Sequence, residues 1–146
     1  MVDPDERLQQ IIQSLREHGH KITPQRVAVA RILAGCDRHP SVEEICEELQ
    51  HDFPGVSQAT VYRAIMLIKS LGEALELAFP DGGSHYDGRR PYPHPHLICT
   101  RCKKILDPDL DTLSGLTQEL AAESGFRISS YRLDFFGLCP DCQKKD

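Results

Sequence analysis

The chain has no apolar run near the roughly 20 residues that a membrane-crossing helix needs, so no membrane partner is expected. The N-terminus is acidic and polar and does not read as a secretory leader. There is no internal repeat and no low-complexity tract. Neither a phosphate-binding loop nor a separate nucleophile motif is present, and 146 residues leave little room for a deep substrate cleft. An excess of positive charge is missing too. The net charge is −5, which at first argues against nucleic acid.

What remains is an ordinary globular composition, enough for one medium domain or two small ones. The acid is unevenly placed. Glu43, Glu44, Glu47 and Glu48 crowd one segment. Lys21, Arg26, Arg31 and Arg38 face a single Asp37, and the stretch from Ser57 to Leu71 carries Arg63 and Lys69 with no acid. DNA contact depends on this local field rather than on the total.

Helix signals punctuate the first half. Asp3-Pro4-Asp5-Glu6 starts a helix that Gly19 ends, and Thr23-Pro24 opens a second that stops at Gly35. Ser41-Val42-Glu43-Glu44 caps a third, with Val42, Ile45, Cys46 and Leu49 as its apolar stripe. Ser57 caps a fourth that stops at Gly72. Alternation from Leu75 to Phe79, the turn Pro80–Gly83 and a strand from Ser84 to Asp87 make a hairpin. Helices followed by a hairpin predict a winged helix-turn-helix over residues 1–87, with the third and fourth helices as the pair and the hairpin as the wing.

On the fourth helix, Val61, Ala64, Ile65, Ile68 and Leu71 fall on one side. Gln58, Ala59, Tyr62, Arg63, Met66 and Lys69 fall on the other. That outer set suits a major groove, with Arg63, Gln58 and Ala59 at base edges and Lys69 and Tyr62 at phosphates. An ordinary solvated face is the plain alternative. Gln25 and Arg26 are further candidates for phosphate contact.

Residues 88–95 are rich in proline, glycine and arginine and read as a hinge. Beyond it, strands are expected at His96–Thr100 and Lys104–Leu106, a helix over Asp111–Ser124, and a strand from Arg127 to Phe136. Cys99 and Cys102 form one C-x-x-C, and Cys139 and Cys142 another. Four soft thiolates at this spacing favour tetrahedral Zn²⁺, which would staple residues 96–146, a domain of about 50 residues and of a size that often needs one. The rival is a thiol oxidoreductase. A catalytic pair usually opens a helix, whereas both pairs here are expected beside strands. In a cytoplasmic chain, the expected location, such pairs are metal-binding or redox-active more often than disulfide-bonded. Cys46 reads as a small core residue.

A second cluster adjoins the first pair. His94 and His96 lie two residues apart before it, Asp107 follows it, Asp87 ends the wing and His39 lies between the second and third helices. Imidazoles and carboxylates without thiolate suit Fe²⁺ or Mn²⁺ and tolerate Zn²⁺. Spacing alone favours a ligand role for His94 and His96 but does not recruit His39. His18, His20, His51 and His85 read as surface residues. A metal hydrolase is the enzyme alternative, though it would want a general base and a cleft beside the metal.

Four segments then carry a resemblance: Ile22-Thr23-Pro24-Gln25-Arg26, Ala59-Thr60-Val61-Tyr62-Arg63, His94 through Cys102, and Gly137-Leu138-Cys139-Pro140-Asp141-Cys142. Together they resemble the ferric uptake regulator family of metal-dependent repressors. The resemblance implies an α+β homodimer, with an N-terminal winged helix-turn-helix and a small C-terminal α/β dimerisation domain. Metal would close the dimer onto a palindromic operator in double-stranded DNA. It places structural zinc on Cys99, Cys102, Cys139 and Cys142, and a regulatory metal on His39, Asp87, His94, His96 and Asp107. Aspartate at Asp107 resembles the peroxide-sensing branch. So does the lack of a further ligand set at Pro93, Pro95, Ser114 and Tyr131. The expected function is a peroxide-stress repressor in which bound iron leads to oxidation of His39 or His94. A ferrous-iron-responsive repressor of iron uptake is the alternative.

Overall fold

The computed structural model describes residues 2–79, 83–108 and 112–145. The chain divides into two units, Met1–Tyr92 and Pro93–Asp146.

The first unit is four helices and a hairpin. The helices are α1 (Pro4–Glu17), α2 (Pro24–Gly35), α3 (Val42–Leu49) and α4 (Gln58–Ser70). Three of them start where a hydroxyl can satisfy an orphan N–H. Thr23 Oγ1 accepts from Arg26 N at 3.2 Å, Ser41 Oγ from Glu44 N at 3.2 Å, and Ser57 Oγ from Thr60 N at 3.1 Å. Gly19 and Gly72, at φ 77° and 78°, close α1 and α4 with left-handed turns. Ile11, Leu15, Val29, Leu33, Ile45, Leu49, Val61, Ile65 and Ile68 form the core, sealed by Tyr86 from the hairpin. Val42 and Leu71, expected on apolar stripes, are only half-buried at its margin.

The hairpin pairs β1 (Leu75–Ala78) antiparallel with β2 (Ser84–Asp87), so that Leu75 faces Asp87 and Leu77 faces His85. Phe79 falls just outside the first strand, where its N–H donates to Gly83 O at 2.7 Å. The expected turn residues Pro80, Asp81 and Gly82 lie outside the described residues.

In the second unit, β3 (His96–Cys99), β4 (Ile105–Leu106) and β5 (Asp134–Gly137) form a sheet in the order β4-β3-β5, with α5 (Thr112–Ser124) between β4 and β5 in sequence. β4 is antiparallel to β3, and β5 is parallel to it. The expected strand from Arg127 is shorter than predicted. Pairing begins at Asp134 opposite His96, and the next residue along β3 would be Pro95, which has no N–H to offer a ladder. β3 likewise ends at Cys99, one residue early, because Thr100 already turns into the knuckle. Asp111, the expected first residue of α5, lies outside the described residues. A one-turn helix, α6 (Pro140–Gln143), follows the sheet.

No helix among the described residues is long and apolar enough to cross a membrane.

Candidate metal centres and nucleic-acid interface

The four thiols converge. The Sγ atoms of Cys99, Cys102, Cys139 and Cys142 all lie within 4.8 Å of one another, and Cys102 and Cys139 are 3.7 Å apart. A tetrahedron with Zn–S bonds of about 2.3 Å has edges of roughly 3.8 Å, which the Cys102–Cys139 separation already matches. The first knuckle turns at Lys103, whose φ of 66° is left-handed, and Lys103 N donates to Cys99 O at 3.0 Å. Cys139 N–H donates to Cys99 Sγ at 3.4 Å. This and further backbone N–H groups at Cys102 and Arg101 hold the Cys99 thiol down at about 5. Burial pushes Cys142 up to about 12, with the neighbouring sulfurs adding to it. Thiols packed this closely cannot all ionise unless a cation joins them.

One expectation is corrected here. The second pair does not merely flank a strand: Cys139 stands at the N-cap of α6, and Cys142 lies inside it. Proline at the first position of that helix favours the turn. Strand context therefore does not speak against redox chemistry at this pair. The convergence of all four sulfurs within 4.8 Å of one another replaces it.

The imidazoles and carboxylates gather within each unit. In the second, His94 precedes β3 and His96 opens it, and their rings lie 4.3 Å apart. Both Nε2 atoms face Asp107, His94 at 3.6 Å from Oδ2 and His96 at 3.6 Å from Oδ1. His96 Nδ1 lies 3.4 Å from Asp134 Oδ1. A carboxylate there holds the proton on Nδ1 and leaves Nε2 as a lone-pair donor, the usual support of a metal-binding histidine. Asp134 was missed in the sequence. Only the parallel register that sets it opposite His96 reveals it.

In the first unit, His39 Nε2 lies 3.2 Å from Asp87 Oδ2, and both residues are 3% exposed. Asp87 Oδ1 accepts the backbone N–H groups of Arg89 and Arg90, each at 2.9 Å. One oxygen is thus used by the turn and the other faces the imidazole. Arg7 anchors the same turn: its guanidinium donates to Gly88 O at 2.7 Å and to the Glu73 carboxylate at 2.7 Å. Arg7 and Glu73, also missed in the sequence, join α1 to both ends of the hairpin.

On α4, Gln58, Ala59, Tyr62 and Arg63 are exposed, while Val61, Ala64, Ile65 and Ile68 are buried, as the periodicity predicts. Met66 is turned partly inward against the core. Gln25 is exposed at the start of α2, and Arg26 donates to Lys21 O at 2.7 Å. Lys69 is less open than expected. Its ammonium pairs with Glu76 of β1 at 2.9 Å, and Glu76 also accepts from Tyr86 at 2.9 Å. The Lys69 bond is the main reason the Glu76 carboxyl is held below the usual carboxylate range. Burial, then Glu76, pushes the Tyr86 phenol up.

A winged helix that presents one helix face, next in sequence to a unit built on grouped metal donors, is the architecture of a transcriptional regulator. Residues 17–136 match the ferric uptake regulator family, and the chain belongs to that family, whose members are DNA-binding regulators and not enzymes. It is 38% identical over 144 residues to a peroxide-responsive repressor, PerR, of Staphylococcus saprophyticus, covering 97% of this chain and 95% of that one. The structure of PerR from Streptococcus pyogenes, described as a basis for peroxide sensing and gene regulation, is 29% identical, with a TM-score of 0.52 over 97% of this chain and 95% of that one. The Helicobacter pylori ferric uptake regulator shares the fold at 23% identity, with a TM-score of 0.81 over 97% and 95% of the two chains.

Proposed function

We propose that this chain is a metal-dependent repressor that releases DNA when hydrogen peroxide oxidises a ligand histidine. The reading is carried by the donor chemistry: buried imidazoles set against carboxylates, separate from a four-thiolate group that suits structural zinc. His39 and Asp87 supply two donors, and His94, His96 and Asp107 supply three. Neither number satisfies Fe²⁺ or Mn²⁺ alone, and the five together make one regulatory site. Asp87 would bind through Oδ2, since Oδ1 is taken by backbone. Asp134 would orient His96.

Residues 1–87 act as the DNA-binding domain, 88–95 as the hinge and 96–146 as the zinc-stapled dimerisation domain. Gln58, Ala59 and Arg63 read the major groove, Tyr62, Gln25 and Arg26 reach phosphates, and Lys69 is a further phosphate-facing cation that Glu76 holds back. A homodimer is supported by the apolar surface of the second unit: Phe135 and Phe136 on the edge strand β5 are 47% and 48% exposed, and Leu116 and Leu120 of α5 are 49% exposed. Two-fold symmetry then matches a palindromic operator in double-stranded DNA. Such a regulator works in the cytoplasm. Metal stabilises the DNA-binding form to the extent that it binds that form better.

Bound iron supplies the redox chemistry towards peroxide, and manganese at the same donors is the control. The test is mass spectrometry of iron-loaded and manganese-loaded protein after peroxide. One added oxygen is expected on the peptide holding His39 or His94, with iron only, together with loss of DNA binding. Iron-loaded protein that leaves DNA with both peptides unmodified would instead make it a ferrous-iron-responsive repressor. Iron-loaded protein that stays on DNA unmodified would rule out peroxide sensing.

A further inference from the structure

His85, read from the sequence as a surface residue, is half-buried and touches two regions at once. It lines a cleft of about 590 Å³ whose walls also carry Gln58, Ala59 and Tyr62. Its ring meets that of Phe79 edge-on, with centroids 4.4 Å apart. Its Nδ1 lies 2.6 Å from the carbonyl oxygen of His39. A carbonyl oxygen can only accept, so Nδ1 carries the proton.

The backbone it grips is strained. His39 has φ 55°, in the left-handed region that a non-glycine residue holds only when its surroundings impose it. β2 imposes it from three successive residues. His85 donates to His39 O, Tyr86 N donates to Pro40 O at 2.9 Å, and Asp87 faces the His39 ring. His85 and Asp87 share one face of the strand, and Tyr86 points from the other into the core.

We propose that His85 is a positioning residue for His39 and transmits the state of the regulatory metal site to the DNA-facing cleft. The proposal rests on the reading of His39 as a ligand. A metal that fixes the His39 ring fixes the loop carbonyl, and through His85 the wing wall beside Gln58 and Tyr62. By linkage, DNA that orders the wing raises metal affinity by the same factor. One neutral hydrogen bond sets that factor at roughly threefold to tenfold.

Three variants of the zinc-loaded full chain test it. His85→Phe keeps a ring against Phe79 and removes Nδ1. His85→Gln carries its amide past the Nδ1 position. His85→Asn returns an N–H close to it. The readouts are Mn²⁺ affinity and the ratio of DNA affinities with and without Mn²⁺, on a duplex selected by the wild-type protein from random sequence. His85→Phe and His85→Gln should lower both by roughly threefold to tenfold. His85→Asn should restore most of the loss, with zinc content and melting temperature unchanged throughout. Wild-type values in the Phe and Gln variants overturn the proposal, as does an Asn variant as impaired as they are. His39→Ala separates the two readings. Loss of Mn²⁺ binding there upholds the ligand role, and retention overturns that role however the His85 variants behave.

Discussion

In the N-terminal unit Ile11, Leu15, Leu33, Ile45, Ile65 and Ile68 are all sealed from solvent, whereas the buried apolar residues of the C-terminal unit are Ile98, Cys99, Ile105 and Cys142 among those described. Two of those four are thiols of the metal group. The larger apolar side chains of the second unit, Phe126, Phe135, Phe136, Leu116 and Leu120, face outward. The first unit stabilises itself by burial. The second buries too little among the described residues to do so, and on the proposed reading its order depends on zinc at the four thiols. Of the five donors proposed for the regulatory metal, His94, His96 and Asp107 lie in this second unit, where stability is conditional.

Removing zinc should separate the units most sharply. A structural four-thiolate zinc contributes about 10 kcal/mol to a small fold. Chelation should release one zinc as four thiols become reactive. Amide protection should then be lost across β3, β5 and α5, and kept across α1 to α4. Unchanged protection at β3 and β5 after zinc loss would break the comparison.

Leu33 tests the other side. Leu33→Ala should destabilise the first unit by about 2–5 kcal/mol, because the surrounding helices cannot collapse onto the space. Gly88→Ala attacks the same place from the opposite direction. A Cβ there would stand 2.5 Å from Leu33 Cβ, and overpacking of this kind costs about 1–3 kcal/mol. Chemical denaturation of each variant measures both. In the second unit, Phe136→Glu should leave the monomer's melting nearly unchanged and weaken self-association by roughly 2 kcal/mol, read by sedimentation. A Phe136→Glu chain that unfolds without dissociating would mean that Phe136 serves an interior after all.

The same contrast explains what was legible in the sequence. The starts of α2, α3 and α4 were readable because a capping hydroxyl and its N–H are three residues apart. The inward face of α4 was readable from period alone. The cysteine pairs announced their grouping by spacing, though the helical turn at Cys139 did not show. The start of β5 was not readable, because it depends on where β3 runs out at Pro95 and not on any signal near Arg127. Asp134 behind His96 and His85 beneath His39 were hidden for the same reason: each is set by register between segments distant in sequence. Lys69 was legible as an exposed cation on α4, and its partner on the wing was not.

That partner yields the smallest effect and the finest test of the first unit as a self-contained DNA reader. Glu76 binds Lys69 with one carboxylate oxygen and Tyr86 with the other, so it is pinned at the wall of the cleft beside Gln58 and Tyr62. Its folded pKa is lowered, first by Lys69, relative to an unfolded carboxyl near 4.3. The pair's contribution to stability is therefore present above that unfolded value and lost as pH falls through the lowered one. At neutral pH the acid is ionised and holds Lys69 away from phosphate. Glu76→Gln should release the ammonium and add one phosphate-neutralising cation for each reading helix. The slope of log affinity against log salt should steepen by about 0.9 per subunit, with tighter binding to random duplex at low salt and poorer discrimination in favour of the selected sequence. An unchanged slope would mean that Lys69 serves the wing alone, and that DNA is contacted by Gln58, Tyr62 and Arg63 without it.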